Sequence, residues 1–181
     1  MKTIQELRSS FEFKIQHYHI QLYQFVRKYE KNLVDWEVFL PSLGYDLQRP
    51  FVWTEFQKEE LIWSVLLGRK VPTVSAISIY EENDELLQII DGKQRLGTLV
   101  SFVQGRFPLH VDKKPYFYHQ LPDDYKYAIK FFNISVNTLY QPLNKPFSDQ
   151  DKINWFYFIN FAGSAQDAEH MRKLQQSFSL Y

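Results

Sequence analysis

Apolar residues Ile4, Leu7, Phe11, Ile15, Leu22, Phe25, Val26 and Tyr29 recur at mixed three- and four-residue steps, with Lys, Glu and Gln between them. That spacing predicts mostly amphipathic helix from Thr3 to about Leu33, with a break near Ser9-Ser10. Trp36 to Leu40 alternates and then meets Pro41, which predicts a short strand ending in a turn. Thr54 followed three residues later by Gln57 has the form of a capping box, and Phe56, Leu61, Val65 and Leu66 continue at helical spacing up to Gly68. Val74 to Tyr80 is rich in β-branched and apolar residues, Glu81 to Glu85 is a polar turn, and Leu86-Leu87-Gln88-Ile89-Ile90 makes a second strand, so the stretch reads as a hairpin. Lys93 to Val103 carries Leu96, Leu99, Val100 and Val103 on one helical face and stops at Gly105. Beyond it, Phe107–Val111, Tyr116–Tyr118 and Phe131–Leu139 read as short strands around a helical turn near Pro122 to Ile129. Pro142 and Pro146 mark a loop, and Ser148 or Asp149 caps the first of two closing helices, divided near Ala162-Gly163-Ser164.

These elements predict one α+β domain, residues 1–181, in which a small mixed sheet packs against several helices. Its parts are a helical N-terminal extension (1–34), a core (35–140) and C-terminal helices (148–181). A length of 181 residues suits one domain better than two. The last helical pattern runs to Tyr181, which suggests that related chains continue.

Charge narrows the chemistry. Lys and Arg number 21 and Asp and Glu 21, so no global field draws the chain to nucleic acid or an anionic membrane, and any polyanion must be held locally. No window approaches the ~20 apolar residues of a membrane span, and the first residues lack the apolar run of an export signal. The absence of cysteine removes disulfides, thiolate catalysis and cysteine metal sites, and makes a cytoplasmic setting the expectation. His17 and His19 lie two apart, a spacing that turns them away from each other on a helix, and no acidic constellation accompanies them. Aromatic residues at 18% are read first as core packing and second as a partner surface.

The segment with chemistry is Asp91-Gly92-Lys93-Gln94-Arg95, set between a predicted strand and a predicted helix. A strand running directly into a helix gathers unpaired backbone N–H groups at the positive end of the helix dipole, an arrangement that attracts phosphate. Gly92 permits close approach or positive φ, Lys93 and Arg95 bring two cations into the first turn, and Gln94 is placed to orient a water or a sugar hydroxyl. Asp91 reaches phosphate only through a metal, for which Mg2+ is the natural candidate, or as a base toward water. Local chemistry alone reads equally well as an ordinary helix start with solvated Lys and Arg.

Three stretches resemble a known family. Leu47-Gln48-Arg49-Pro50-Phe51-Val52-Trp53, then Gln57, Leu61-Ile62, Gly68 and Pro72, is the first; Ile90 to Leu99 is the second; Phe158-Ile159-Asn160 with Glu169 is the third. Together they resemble domain of unknown function 262, the N-terminal domain of GmrSD-type modification-dependent restriction proteins, whose signature is Asp-Gly-Gln-Gln-Arg. This sequence has Lys93 where the family has Gln, and Ile159 where it has Arg. The resemblance spans about Leu47 to Glu169 and leaves the N-terminal region unmatched. It implies a ParB/sulfiredoxin-like fold and a nucleoside-triphosphate pocket. Gln48, Arg49, Gly92, Lys93, Gln94, Arg95, Thr98 and Asn160 then bind the cofactor, Asp91, Gln94 and Arg95 are catalytic, and Asp91 holds the metal.

The resulting expectation is a regulatory NTP-binding module of a restriction or defence system, of unspecified base and with hydrolysis left open. The alternative is a non-catalytic module that keeps the fold and works with a separately encoded nuclease or other effector, or that reads DNA.

Overall fold

The computed structural model describes residues 14–81, 84–140 and 146–161. Five strands form the main sheet: β1 (Lys14–Gln21), β9 (Asn133–Tyr140), β5 (Val74–Glu81), β6 (Asp84–Asp91) and β2 (Val34–Asp35), in that spatial order. Pairing is mixed. β1 runs antiparallel to β9 and β5 antiparallel to β6, whereas β9 runs parallel to β5 and β2 parallel to β6. Two small hairpins, β3 (Phe39–Leu40) with β4 (Tyr45–Asp46) and β7 (Leu109–Val111) with β8 (Lys114–Tyr116), lie outside this sheet. The helices are α1 (Leu22–Glu30), α2 (Glu55–Leu66), α3 (Lys93–Val103), α4 (Asp123–Lys130) and α5 (Asp149–Phe161).

Strand alternation divides the interior in two. Leu87 and Ile89 on β6 join Val74 and Ala76 on β5 and Ile134 and Val136 on β9 in a core with α1 to α4. Ile90, Ile77 and Leu139, pointing the other way from the same strands, join Val38, Leu40 and Leu47 and the α5 residues Ile153, Trp155 and Phe156. A strand buried on both faces has to be apolar at nearly every position, which accounts for the Leu-Leu-Gln-Ile-Ile run of β6, interrupted only by Gln88, whose buried amide donates to Asp35.

The predicted hairpin and the helices at Thr54, Gly92 and Ser148 are present, and Thr54 and Gln57 form the capping box their spacing suggests. The N-terminal extension is different. Residues 14–21 are not helical but an edge strand, registered over all eight residues with β9, and the helix is confined to Leu22–Glu30. The misleading feature is the seven-residue step from Ile15 to Leu22. It hides Tyr18 and Ile20, whose two-residue spacing turns both toward the core while His17 and His19 face solvent together. Of the predicted strand over Trp36–Leu40 only Phe39–Leu40 is strand (β3); Trp36 to Val38 form the turn that follows β2 (Val34–Asp35). Tyr118 opens a 3-10 turn rather than ending a strand. The break at Ser9-Ser10, the second closing helix and Glu169 lie outside the described residues.

Beyond the helical cover, Tyr18, Tyr80, Tyr140 and Glu85 crowd one end of the sheet, where Ser78 donates to Glu85 at 2.6 Å and Lys28 pairs with the same carboxylate at 3.0 Å. Burial, then Tyr80 and Glu85, push the Tyr140 hydroxyl up to about 12, and burial, Glu85 and Tyr140 raise Tyr18 as well. A phenol whose folded value lies above its unfolded value of 10.0 contributes stability that is complete below about pH 10 and is lost as pH rises through the folded value. Urea midpoints are therefore expected to hold steady to about pH 9 and then fall. Tyr140→Phe should make that fall shallower, and an equally steep fall in the variant would contradict the assignment.

Candidate functional site

The signature segment sits where β6 stops. Ala76 pairs with Ile89 and Ser75 with Asp91, so the register shifts and Ile90 is an extra residue in the β6 strand. Such a bulge costs a ladder partner and re-aims the residues after it. Here the amide Nε2 of Gln48 donates to the Ile90 carbonyl, supplying a partner from outside the ladder.

Gly92 then turns the chain into α3. Its φ of 101° lies in the left-handed region, and a Cβ at this position would stand 2.5 Å from Val74 Cγ1 and 3.2 Å from Arg95 Nη2. Only glycine satisfies both the dihedral and the contact. Because Gly92 is itself the N-cap, no side chain caps α3, and the N–H groups of its first turn face the space beside the segment. The first turn contains no acidic residue.

A cleft of about 110 Å³ lies over this turn, lined by Gln48, Arg49, Trp53, Asp91, Gly92, Lys93, Gln94 and Arg95. Lys93, whose side chain is 10% exposed, places Nζ 2.6 Å from Oε2 of Glu37. Arg95 Nη2 lies 2.7 Å from Asp91 Oδ2 and donates to the Thr73 carbonyl at 3.3 Å, while its Nε is buried with no hydrogen-bond partner among the described residues. Arg49 is exposed at the rim, and among the described residues it makes neither an ion pair nor a ring contact with Trp53.

Seven of the residues expected at the site thus meet in one cleft: Gln48, Arg49, Asp91, Gly92, Lys93, Gln94 and Arg95. Gln94, expected to orient a water or a sugar, commits its amide to backbone. Its Oε1 accepts from Val52 N at 2.9 Å and Trp53 N at 3.3 Å, and its Nε2 donates to Pro50 O at 3.0 Å, pinning the Arg49–Trp53 loop to α3. Thr98 and Asn160 are not among the lining residues. Thr98 is fully buried one turn along α3 and donates to the Gln94 carbonyl at 2.8 Å, and Asn160 donates to the Phe156 carbonyl within α5 at 2.7 Å. Asp91 is the carboxylate lining the cleft, and among the described residues no group of three His, Cys, Asp or Glu is placed to hold a metal.

Glu37 was not legible as a site residue. It stands 56 positions from Lys93, in a segment whose composition suggests only a strand end. A larger cleft, about 610 Å³, opens between α1 and α4 and is lined by Leu22, Val26, Arg27, Val103, Lys130 and Phe131 among others. Size favours it, but it contains none of the signature residues. The smaller cleft has the cations and the uncapped helix start that the signature segment led one to expect.

Two substitutions test this construction. Gly92→Ala forces a Cβ into Val74 at an unfavourable dihedral and is expected to cost about 3 kcal/mol in urea unfolding. Gln94→Ala leaves the Val52 and Trp53 N–H groups and the Pro50 carbonyl without their partner, for an expected loss of about 2 kcal/mol and faster amide exchange at Val52. Unchanged stability in both would refute the pinned junction.

No curated protein and no solved structure matches the chain. The family described as GmrSD restriction endonuclease, N-terminal domain, matches residues 22–180. The match begins at the first residue of α1, so a helix expected to belong to an unmatched extension lies within the family's span. With nearly the whole chain covered, this protein belongs to the GmrSD restriction endonuclease N-terminal domain family.

Proposed function

We propose that the chain is a polyphosphate-binding regulatory module of a restriction-type system, taking the phosphates of a nucleoside triphosphate in the cleft over the Asp91–Arg95 segment. The observation that carries this reading is the uncapped start of α3, where first-turn N–H groups and the cations of Arg49, Lys93 and Arg95 converge on one small space. At about 110 Å³ the cleft is well below the roughly 300–1,000 Å³ of sites that enclose a whole small molecule. It suits phosphate groups, with sugar and base lying outside over the Arg49–Trp53 loop. Phe51 and Val52 on that loop are exposed apolar residues that a base would cover.

Binding is better supported than turnover. Asp91 is engaged with Arg95 and Gln94 with backbone, so the two side chains expected to handle an attacking water are both occupied. Mg2+ would arrive on the phosphates with Asp91 as its protein carboxylate, in keeping with the metal's habit of taking one or two carboxylates and keeping phosphate and water ligands. A mixed sheet that delivers a glycine and an arginine to a strand-to-helix junction supports reading the domain as ParB/sulfiredoxin-like. In a restriction-type system the bound nucleotide would control an effector, either a nuclease or the readout of DNA. The neutral charge balance favours a protein effector over charge-driven DNA binding.

Calorimetry with the four ribonucleoside triphosphates and Mg2+, paired with a phosphate-release assay, tests the reading. Binding of at least one nucleotide is expected, weakened about tenfold or more by Arg95→Lys, which keeps the charge but loses the planar fork. Little or no release should accompany it. Failure of all four nucleotides to bind, or binding indifferent to both Arg95→Lys and Lys93→Met, would remove this assignment.

A further inference from the structure

Glu37 is the acidic partner of Lys93, one of the cations lining the cleft. Its carboxylate lies 2.6 Å from the Lys93 ammonium, which is nearly buried, whereas the Glu37 side chain is 56% exposed. The backbone beneath Glu37 is locked. Asp35 Oδ1 accepts from both Glu37 N and Val38 N at 3.1 Å, and Asp35 Oδ2 accepts from Gln88 of β6 at 2.9 Å. Val38 is wholly buried with a φ of 51°, a left-handed conformation that a β-branched residue adopts only when its surroundings enforce it. Leu47 N donates to the Val38 carbonyl at 3.1 Å, closing the turn. The fold thus fixes the Glu37 backbone beside Lys93 and leaves its side chain free to rotate into water.

We infer that Glu37 is a counter-anion gate on the phosphate cleft: its carboxylate holds Lys93 in the empty state, and an incoming phosphate binds by displacing it. This rests on the phosphate-binding reading of the cleft and adds a residue that sets the affinity of that site. With Glu37 in place, Lys93 is paired with Glu37 and Arg95 with Asp91, while Arg49 lines the rim of the cleft. A phosphate held against Lys93 with Glu37 still bound would place two anions on one ammonium, a repulsion that is strong in a partly desolvated cleft. The exchange requires only a side-chain rotation, so the gate raises the concentration of phosphate needed without closing the site.

Titration of the full chain with tripolyphosphate, followed calorimetrically, tests the gate in four proteins: wild type, Glu37→Gln, Lys93→Met and the double variant. Glu37→Gln keeps a hydrogen-bond acceptor for Lys93 and removes the charge. It is expected to bind tripolyphosphate about tenfold more tightly than wild type. In the Lys93→Met background the same change should do nothing, a dependence that a general effect on folding or surface charge would not produce. Binding by wild type with equal or weaker binding by Glu37→Gln, or a gain that persists without Lys93, overturns the gate and leaves the phosphate site standing. No binding by either protein overturns both. Glu37→Ala serves as the second variant, with the same expected direction.

Discussion

Asp91, Gly92 and Lys93 form a junction in which the strand has to end on a bulge, reverse handedness and begin a helix within three residues. Val74 fixes the geometry, because its side chain fills the space where any Cβ at position 92 would stand. Everything in the cleft depends on that contact. The bulge turns Asp91 so that Arg95, four residues later and one helical turn up, meets its carboxylate. The glycine cap leaves the α3 N–H groups uncapped by any side chain. Gln48 and Gln94 then tie the Leu47–Trp53 segment to the junction by side-chain amides bonded to backbone groups, so the loop that brings Arg49 to the rim is positioned by two glutamines and not by its own secondary structure.

Much of this was legible in the sequence where local chemistry decides the outcome. The capping box at Thr54 and the hairpin over 74–91 arise from spacing and β-branched content, which act over a few residues. So does the start of α3 at a glycine just beyond the apolar end of a strand. The edge strand at 14–21 was not legible, because its Ile and Tyr are interleaved with Lys, Gln and His that suit a helix as well, and the strand exists through its register with β9, about 120 residues away. Gln94 illustrates a second limit. Its place in the signature suggested chemistry, whereas the three hydrogen bonds of its side-chain amide pin a loop, and nothing in the residue type separates the two.

Topology explains why Glu37 reaches Lys93 at all. β2 and β6 are parallel neighbours, with Val34 beside Leu87 and Asp35 beside Gln88, so both strands leave the sheet at the same rim. β2 leads into the Asp35-braced turn bearing Glu37, and β6 leads into the Gly92 junction bearing Lys93. Open sheets gather ligands outside the carboxyl ends of parallel strands because successive connections diverge there and leave a crevice. In this chain the crevice receives an anion from one strand and a cation from the other. Burying an ammonium without a partner is costly, and Glu37 supplies that partner to the nearly buried Lys93. In the exchange proposed above, the acidic residue that looks opposed to phosphate binding is the partner a phosphate would replace, since Glu37 pairs with Lys93 and orients its ammonium.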